Sequence, residues 1–143
     1  MTTYCTAADL EAVWAPNLIL ASVDDDESGT LSPAEEAHIE RAIERAAGRM
    51  NAILEVRYSL ASLAGNAWCR DANAAIAVYL LAIRRGEPAP QSLQEQHDAY
   101  FAELLEVAAG RVNVPQAVIT LDTKPSVTNF TVDFTRARAV RRG

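Results

Sequence analysis

The sequence predicts an all-α fold, a small helical bundle with one long helix and an extended, partly β C-terminal arm. Three observations lead there. Between residues 33 and 58, and again between 92 and 110, apolar residues recur every three or four positions, the period of one helix face. Residues 67–85 are apolar over most of their surface, which suits a helix buried at the centre of a bundle. After Gly110 the helical period vanishes, and Val, Thr, Ile and Phe dominate a stretch punctuated by Pro115 and Pro125. The 143 residues, half of them hydrophobic, are one domain's worth and can bury a core. They divide into a helical body, residues 1–110, and a basic docking arm, residues 111–143.

Thr6 opens the first helix, its hydroxyl placed to cap the free amides of AADLEAVW. Pro16 interrupts that helix and permits a short second helical turn through NLILAS. In the long helix Ser32 is the cap, Pro33 takes the first helical position and Glu35 reaches back to close a capping box. Its stripe runs through Ile39, Ile43, Ala46, Met50, Ile53 and Leu54. Continued to Tyr58, it would form a rod of roughly 39 Å at 1.5 Å per residue. SLASLAGN breaks it. The central helix ends at Gly86, GEPAP makes a turn, and the last helix sets Leu93, Tyr100, Leu104 and Val107 on one face before Gly110. In VTNFTVDF the side chains alternate by two, so that Phe130 and Phe134 share a side.

Between the second and third of these helices lies DDDESGTLSPAE, residues 24–35, which fits the calcium-loop pattern D-x-[DN]-x-[DN]-G-x5-E at nearly every demanding position. Asp24, Asp26 and Ser28 take the first three ligand positions and Gly29 the sharp turn. Thr30 would offer its carbonyl, Ser32 a water-mediated contact and Glu35 a bidentate carboxylate. Leu31 fills the hydrophobic eighth position. Against that reading, sensors pair two such loops, Pro16 shortens the entering helix, and acids gather at helix N-termini without any metal. The loop therefore reads first as a helix start. A single-loop calcium-binding helical module is the competing function, and no other cofactor is expected.

Net charge is −6, but it is unevenly spread. Residues 1–110 hold 17 acidic and 7 basic residues, net −10, while residues 111–143 hold 2 and 6, net +4. An acidic body does not bind a phosphate backbone unaided, so a nucleic-acid function would fall to the arginine tail alone. No apolar run approaches the roughly 18 residues that span a bilayer. The N-terminus shows no basic segment followed by an apolar one, so no secretion signal is expected. Cys5 and Cys69 then read as thiols, and the Asn129-Phe130-Thr131 acceptor as unused. His38 and His97 stand alone on helices, where packing is the commoner role. With no Gly-rich phosphate loop, Ser-His-Asp ordering or zinc spacing, nothing points to catalysis.

The long helix carries a further pattern. Glu36, Glu40 and Glu44 stack four apart, and so do Arg41, Arg45 and Arg49. At about 100° per residue the two ridges lie roughly 140° apart, on opposite flanks of the apolar stripe. Like charges at this spacing weaken an isolated helix slightly, and a helix made only for solvent would interleave them. Separated ridges suit either partners on neighbouring helices or a head-to-tail ring, in which one subunit's acidic flank meets the next one's basic flank.

Several short motifs, in this order and spacing, resemble one family. Tyr4, Thr6, Asp9 and Leu10 fit Y-x-T-x-x-D-L, and AIERA fits A-I-x-x-A. LEVRYSL fits L-x-x-R-Y-x-L, without the proline expected soon after it. AIRRGEP and AAGRV follow, and the end is Arg-rich near a Phe. The chain resembles the head–tail connector (neck adaptor) proteins of tailed phages and prophages of the Mu-like type, most strongly over residues 4–115. The resemblance implies no enzymatic activity, and at the acidic loop only a variable segment. It implies a ring of about twelve copies at the virion neck, between the portal protein and the tail or neck proteins. Such a protein is made in the bacterial cytoplasm, lets DNA pass through its centre without specific binding, and meets no membrane. The arm would dock on the portal or a neighbouring subunit, with Phe130 and Phe134 as anchors and Arg136, Arg138, Arg141 and Arg142 finding acidic partners.

Overall fold

The structure, a computed structural model, describes residues 2–115 and 117. They form helices α1 (Ala7–Leu10), α2 (Pro16–Val23), α3 (Pro33–Leu54), α4 (Ala67–Ala82) and α5 (Gln91–Ala108), with a 3-10 turn at Leu60–Leu63. Among the described residues there is no strand. The segment read as extended, with its two phenylalanines and four arginines, lies outside them.

Helix α4 is the centre, packed between α3 and α5 with α1 and α2 also against it. Its small residues explain how so many neighbours reach it. Ala72, Ala74, Ala75 and Ala77 are buried, as are Ala42, Ala46 and Ala47 of the adjoining α3, so the backbones can approach closely. Around that seam Leu10, Met50, Leu54, Leu63, Ile76, Leu81 and Leu104 are fully enclosed. Each such side chain contributes about 1.5–3 kcal/mol of burial.

The helix ends follow from local chemistry. Helix α1 has only four residues: the Leu10 carbonyl accepts from both the Val13 and Trp14 N–H groups, so the chain tightens and turns instead of running on to Pro16. Pro16, with no N–H to give, then starts α2 as its first residue. Helix α3 opens with the predicted capping box, the Glu35 N–H donating to Ser32 Oγ at 3.3 Å and the Ser32 N–H to Glu35 Oε1 at 2.9 Å. It stops at Leu54, short of Tyr58, because residues 55–58 turn and carry Arg57 and Tyr58 toward the chain that follows α5. Helix α4 ends at Ala82, before the paired arginines, which leave the helix to hold α2. The turn closes at Gly86, whose φ of +83° is a left-handed value that favours glycine.

Two buried asparagines pin the N-terminal segment. Asn73 accepts from the Tyr4 N–H at 2.9 Å and donates to the Ile43 carbonyl at 3.2 Å. Asn51 accepts from the Tyr4 hydroxyl and donates to the Thr2 carbonyl at 2.9 Å. Burial raises the Tyr4 phenol to about 12, with the nearby Cys69 adding a smaller push. It stays a neutral donor. At the other end the packing continues past Gly110: Val114 is buried and Ala117 rests on the core.

Candidate functional site

The acidic loop is built around Asp25, which the calcium pattern leaves without a role. Its carboxylate meets Arg84, Arg85 (2.9 Å) and His38 (3.5 Å). The hydrogen bonds from Arg84 and then Arg85 hold its carboxyl down at about 2. The same arginines donate to the Ser22 and Ala21 carbonyls, capping the C-terminal end of α2 where positive charge is favoured. The loop is thereby tied to α4.

The predicted calcium ligands do converge. Carboxylate oxygens of Asp24, Asp26 and Glu35 lie within 4.8 Å of one another. Each is already engaged. Asp24 accepts from the Ser28 and Gly29 N–H groups at 3.1 and 2.9 Å, and Asp26 from the Ser28 N–H at 3.1 Å. The Ser28 hydroxyl donates to the Thr30 carbonyl at 2.9 Å. Glu35, buried, uses one oxygen on Ser32 and the other on the Asp25 N–H at 2.9 Å. Bonds to Ser32, above all, hold its carboxyl below the usual range, and hydrogen bonding to Ser28 does the same for Asp26. The cluster therefore closes the loop on itself and starts α3.

On α3 the charge ridges stand as the sequence places them. Glu36, Glu40, Glu44, Arg41, Arg45 and Arg49 are all exposed, while the stripe between them is buried. None of the six makes an ion pair or side-chain hydrogen bond among the described residues. Other charges on the molecule do find partners, as Asp25 with Arg84 and Glu106 with Arg111 show. Two exposed ridges of opposite sign thus stand on one rod, without ion pairs among the described residues.

A third feature escaped sequence reasoning. Arg57 donates to the Val107 and Val112 carbonyls, each at 3.0 Å, and to Asn113 Oδ1 at 3.2 Å. The Tyr58 hydroxyl accepts the Val114 N–H at 3.0 Å, and the Asn66 side chain donates to the Pro115 carbonyl at 2.8 Å. Three side chains thus clamp the chain where the arm begins. The Arg-Tyr pair was visible as a motif, but nothing local says that its partners lie some fifty residues on.

His97 packs: its ring stacks on Tyr79 at 3.9 Å and leans on Phe101, with Nδ1 toward Asp98 at 3.0 Å. Cys5 and Cys69 are buried, and desolvation pushes both thiols up to about 12. Among the described residues no helix is long and apolar enough to cross a membrane.

A short helical body, two charge ridges without ion pairs among the described residues and a clamped C-terminal extension accompany motifs that indicate a phage protein. The sequence matches the family described as Bacteriophage Mu, Gp36 over residues 4–131, and the chain belongs to that family. It is a Mu-like phage protein. No curated protein and no solved structure matches it.

The residues that carried the resemblance have physical roles in this fold. Tyr4 docks the N-terminal segment, the Thr6 N–H donates to Asp9 at 2.8 Å, and Leu10 is fully buried. Arg57 and Tyr58 hold the base of the arm, Arg84 and Arg85 hold α2, and Arg111 pairs with Glu106.

Proposed function

We propose that the protein is a non-enzymatic structural subunit of a phage head–tail connector, a head-to-tail ring between portal and tail that surrounds the DNA channel at the virion neck. The observation that carries this reading is the pair of exposed ridges on α3, without ion pairs among the described residues, in a chain that belongs to a Mu phage family. Glu36, Glu40 and Glu44 of one copy meet Arg41, Arg45 and Arg49 of the next. About twelve copies close the ring. The arm docks on protein, with Phe130 and Phe134 as anchors and Arg136, Arg138, Arg141 and Arg142 on acidic partners, whether on the portal or on an adjoining copy. DNA passes without specific binding, since a sticky lining would oppose its sliding.

Native mass spectrometry of the chain, alone and mixed with its cognate portal protein, tests this. A closed multimer of the chain, free or on the portal, is the expected result. A chain that stays monomeric in both, or that binds duplex DNA tightly at physiological salt, overturns it.

A further inference from the structure

An open groove of about 530 Å³ runs between α1, α2, the acidic loop and the start of α3. Ala8, Pro16, Ile19, Leu20, Leu31 and Ile39 give it an apolar floor and walls. Leu31 is 42% exposed, one of few large apolar side chains left open on this body. Among the described residues, the only charged one lining the groove is Glu11. Glu27 lies two residues before Gly29 of the lining loop, and Glu36 and Glu40 are on the helix that supplies Ile39. All four acids are exposed, and none has an ion-pair partner among the described residues. An apolar trough whose lining charge, among the described residues, is an acid without an ion-pair partner calls for an aromatic segment followed by cations.

The chain contains one such segment. In residues 127–143 the sequence alternates by two through Phe130, Val132 and Phe134, which an extended run would set on one side, and four arginines follow against the single acid Asp133. Two phenylalanines four residues apart in an extended chain lie about 13 Å from each other, a span that a trough between helices can take.

Delivery from a neighbour fits the geometry better than delivery from the same chain. Val114 and Ala117 pack by Tyr58, beyond the C-terminal end of α3, whereas Ile39 and Leu31 are at its N-terminal end. The 22 residues of α3 separate those ends by about 33 Å. An arm folding back on its own body would run the length of α3, either past Arg41, Arg45 and Arg49, of the arm's own sign, or along Glu36, Glu40 and Glu44, the ridge that the next copy's basic flank covers in the proposed ring. Ile39 lies only about 60° around the helix from Glu36, on the acidic side. A copy whose basic flank meets that acidic flank stands next to the groove.

We propose that this groove receives residues 127–143 of the neighbouring copy, with Phe130 and Phe134 in the apolar trough and the arginines on Glu11 and Glu27, acids that the ring contact leaves free. The proposal rests on the head-to-tail ring reading and assigns the arm's acceptor within it.

Cysteine pairing in the full-length chain tests it. Leu31→Cys places a thiol on the groove wall, and Val132→Cys places one between the two phenylalanines without removing either; the native thiols are buried. Mixing the two single variants under mild oxidation should give a covalent heterodimer. Adding Ala8→Trp to the groove variant, which fills the trough at an exposed position, should reduce that yield at least tenfold. Replacing Leu31→Cys by Val56→Cys, an exposed position remote from the groove, should do the same. Failure to link, equal linking to Val56→Cys, linking of Val132→Cys to the portal in preference to Leu31→Cys, or closure only within a chain carrying both cysteines each overturns the proposal. Native mass of the wild-type chain, alone and with its portal protein, separates the two levels. A closed assembly without the cross-link refutes the groove and leaves the ring, whereas no closed assembly refutes the ring itself.

Discussion

Reversing two charges on α3 should abolish assembly while leaving the fold almost untouched. In the double variant Arg45→Glu/Arg49→Glu the net charge goes from −6 to −10, since each reversal adds two negative charges. Both side chains are exposed and make no ion pair among the described residues, so no partner in the described body is lost. Along the ridge the wild type sets Arg41 against Arg45 and Arg45 against Arg49, two like-charge pairs at four-residue spacing. The variant turns the first of these into an opposite-charge pair, while the second stays a like-charge pair, now of two acids. Each such pair is worth about 0.2–0.5 kcal/mol, and Arg and Glu have similar helix propensities. The balance is within about 0.5 kcal/mol, or roughly 2 °C in Tm for a chain of this size. At a subunit contact the same change puts acid against acid in every interface, and in a closed ring the penalty recurs at each one. Circular dichroism should show the same helix content and a near-identical melt, while native mass spectrometry with portal present should show the closed species gone. A variant that assembles like the wild type would refute the argument that these ridges form the contact. Restoration by a compensating Glu40→Arg/Glu44→Arg change on the other flank would identify the pairing directly.

Three further outcomes follow from the geometry. Tyr58→Phe removes the acceptor of the buried Val114 N–H. It should destabilise the protein by about 1–3 kcal/mol and speed amide exchange at Val114; an unchanged exchange rate would show that the clamp is not closed in solution. Calcium at millimolar concentration should move Tm by little or nothing, because both Glu35 oxygens already bind backbone N–H groups. A rise of several degrees that Glu35→Gln abolishes would instead establish a tight site. Asp25, whose folded carboxyl is held at about 2 by Arg84 and Arg85, contributes its tether above the ordinary carboxylate range and loses it as pH falls toward about 2. Side-chain carboxyl NMR should follow that late titration, and a midpoint near 4 would mean that the arginines do not hold it.

What could be read from the sequence was what is encoded locally. Ser32, Pro33 and Glu35 announce the start of α3 within four residues, and Ile39 through Leu54 announce its buried face, so both emerge where expected. The charge ridges were legible for the same reason, being a repeat on one helix. Long-range partners were not. Asn51 and Asn73 look like ordinary polar positions on helices, yet they are buried because Tyr4, far away in sequence, needs their carbonyl oxygens. Asp25 sits between two predicted metal ligands and binds arginines about sixty residues on. The ends of α3 and α4 were placed too late because Arg57, Tyr58, Arg84 and Arg85 look compatible with a helix. Only their distant carbonyl, amide and carboxylate partners pull them away.

The clamp formed by Arg57, Tyr58 and Asn66 has a consequence for strength of attachment. It fixes the chain at residues 112–115, so in the proposed ring every copy would launch its arm from the same radius and height. Binding of one arm would then hold the next acceptor within reach of the next arm, and local concentration would replace bulk concentration at each later step. Individually feeble contacts would suffice under these conditions. A single arm could detach and rebind without loss of the whole, so the joint would tolerate damage at one position. Loosening the clamp would leave each contact chemically intact but scatter the launching points, and attachment would weaken through lost avidity.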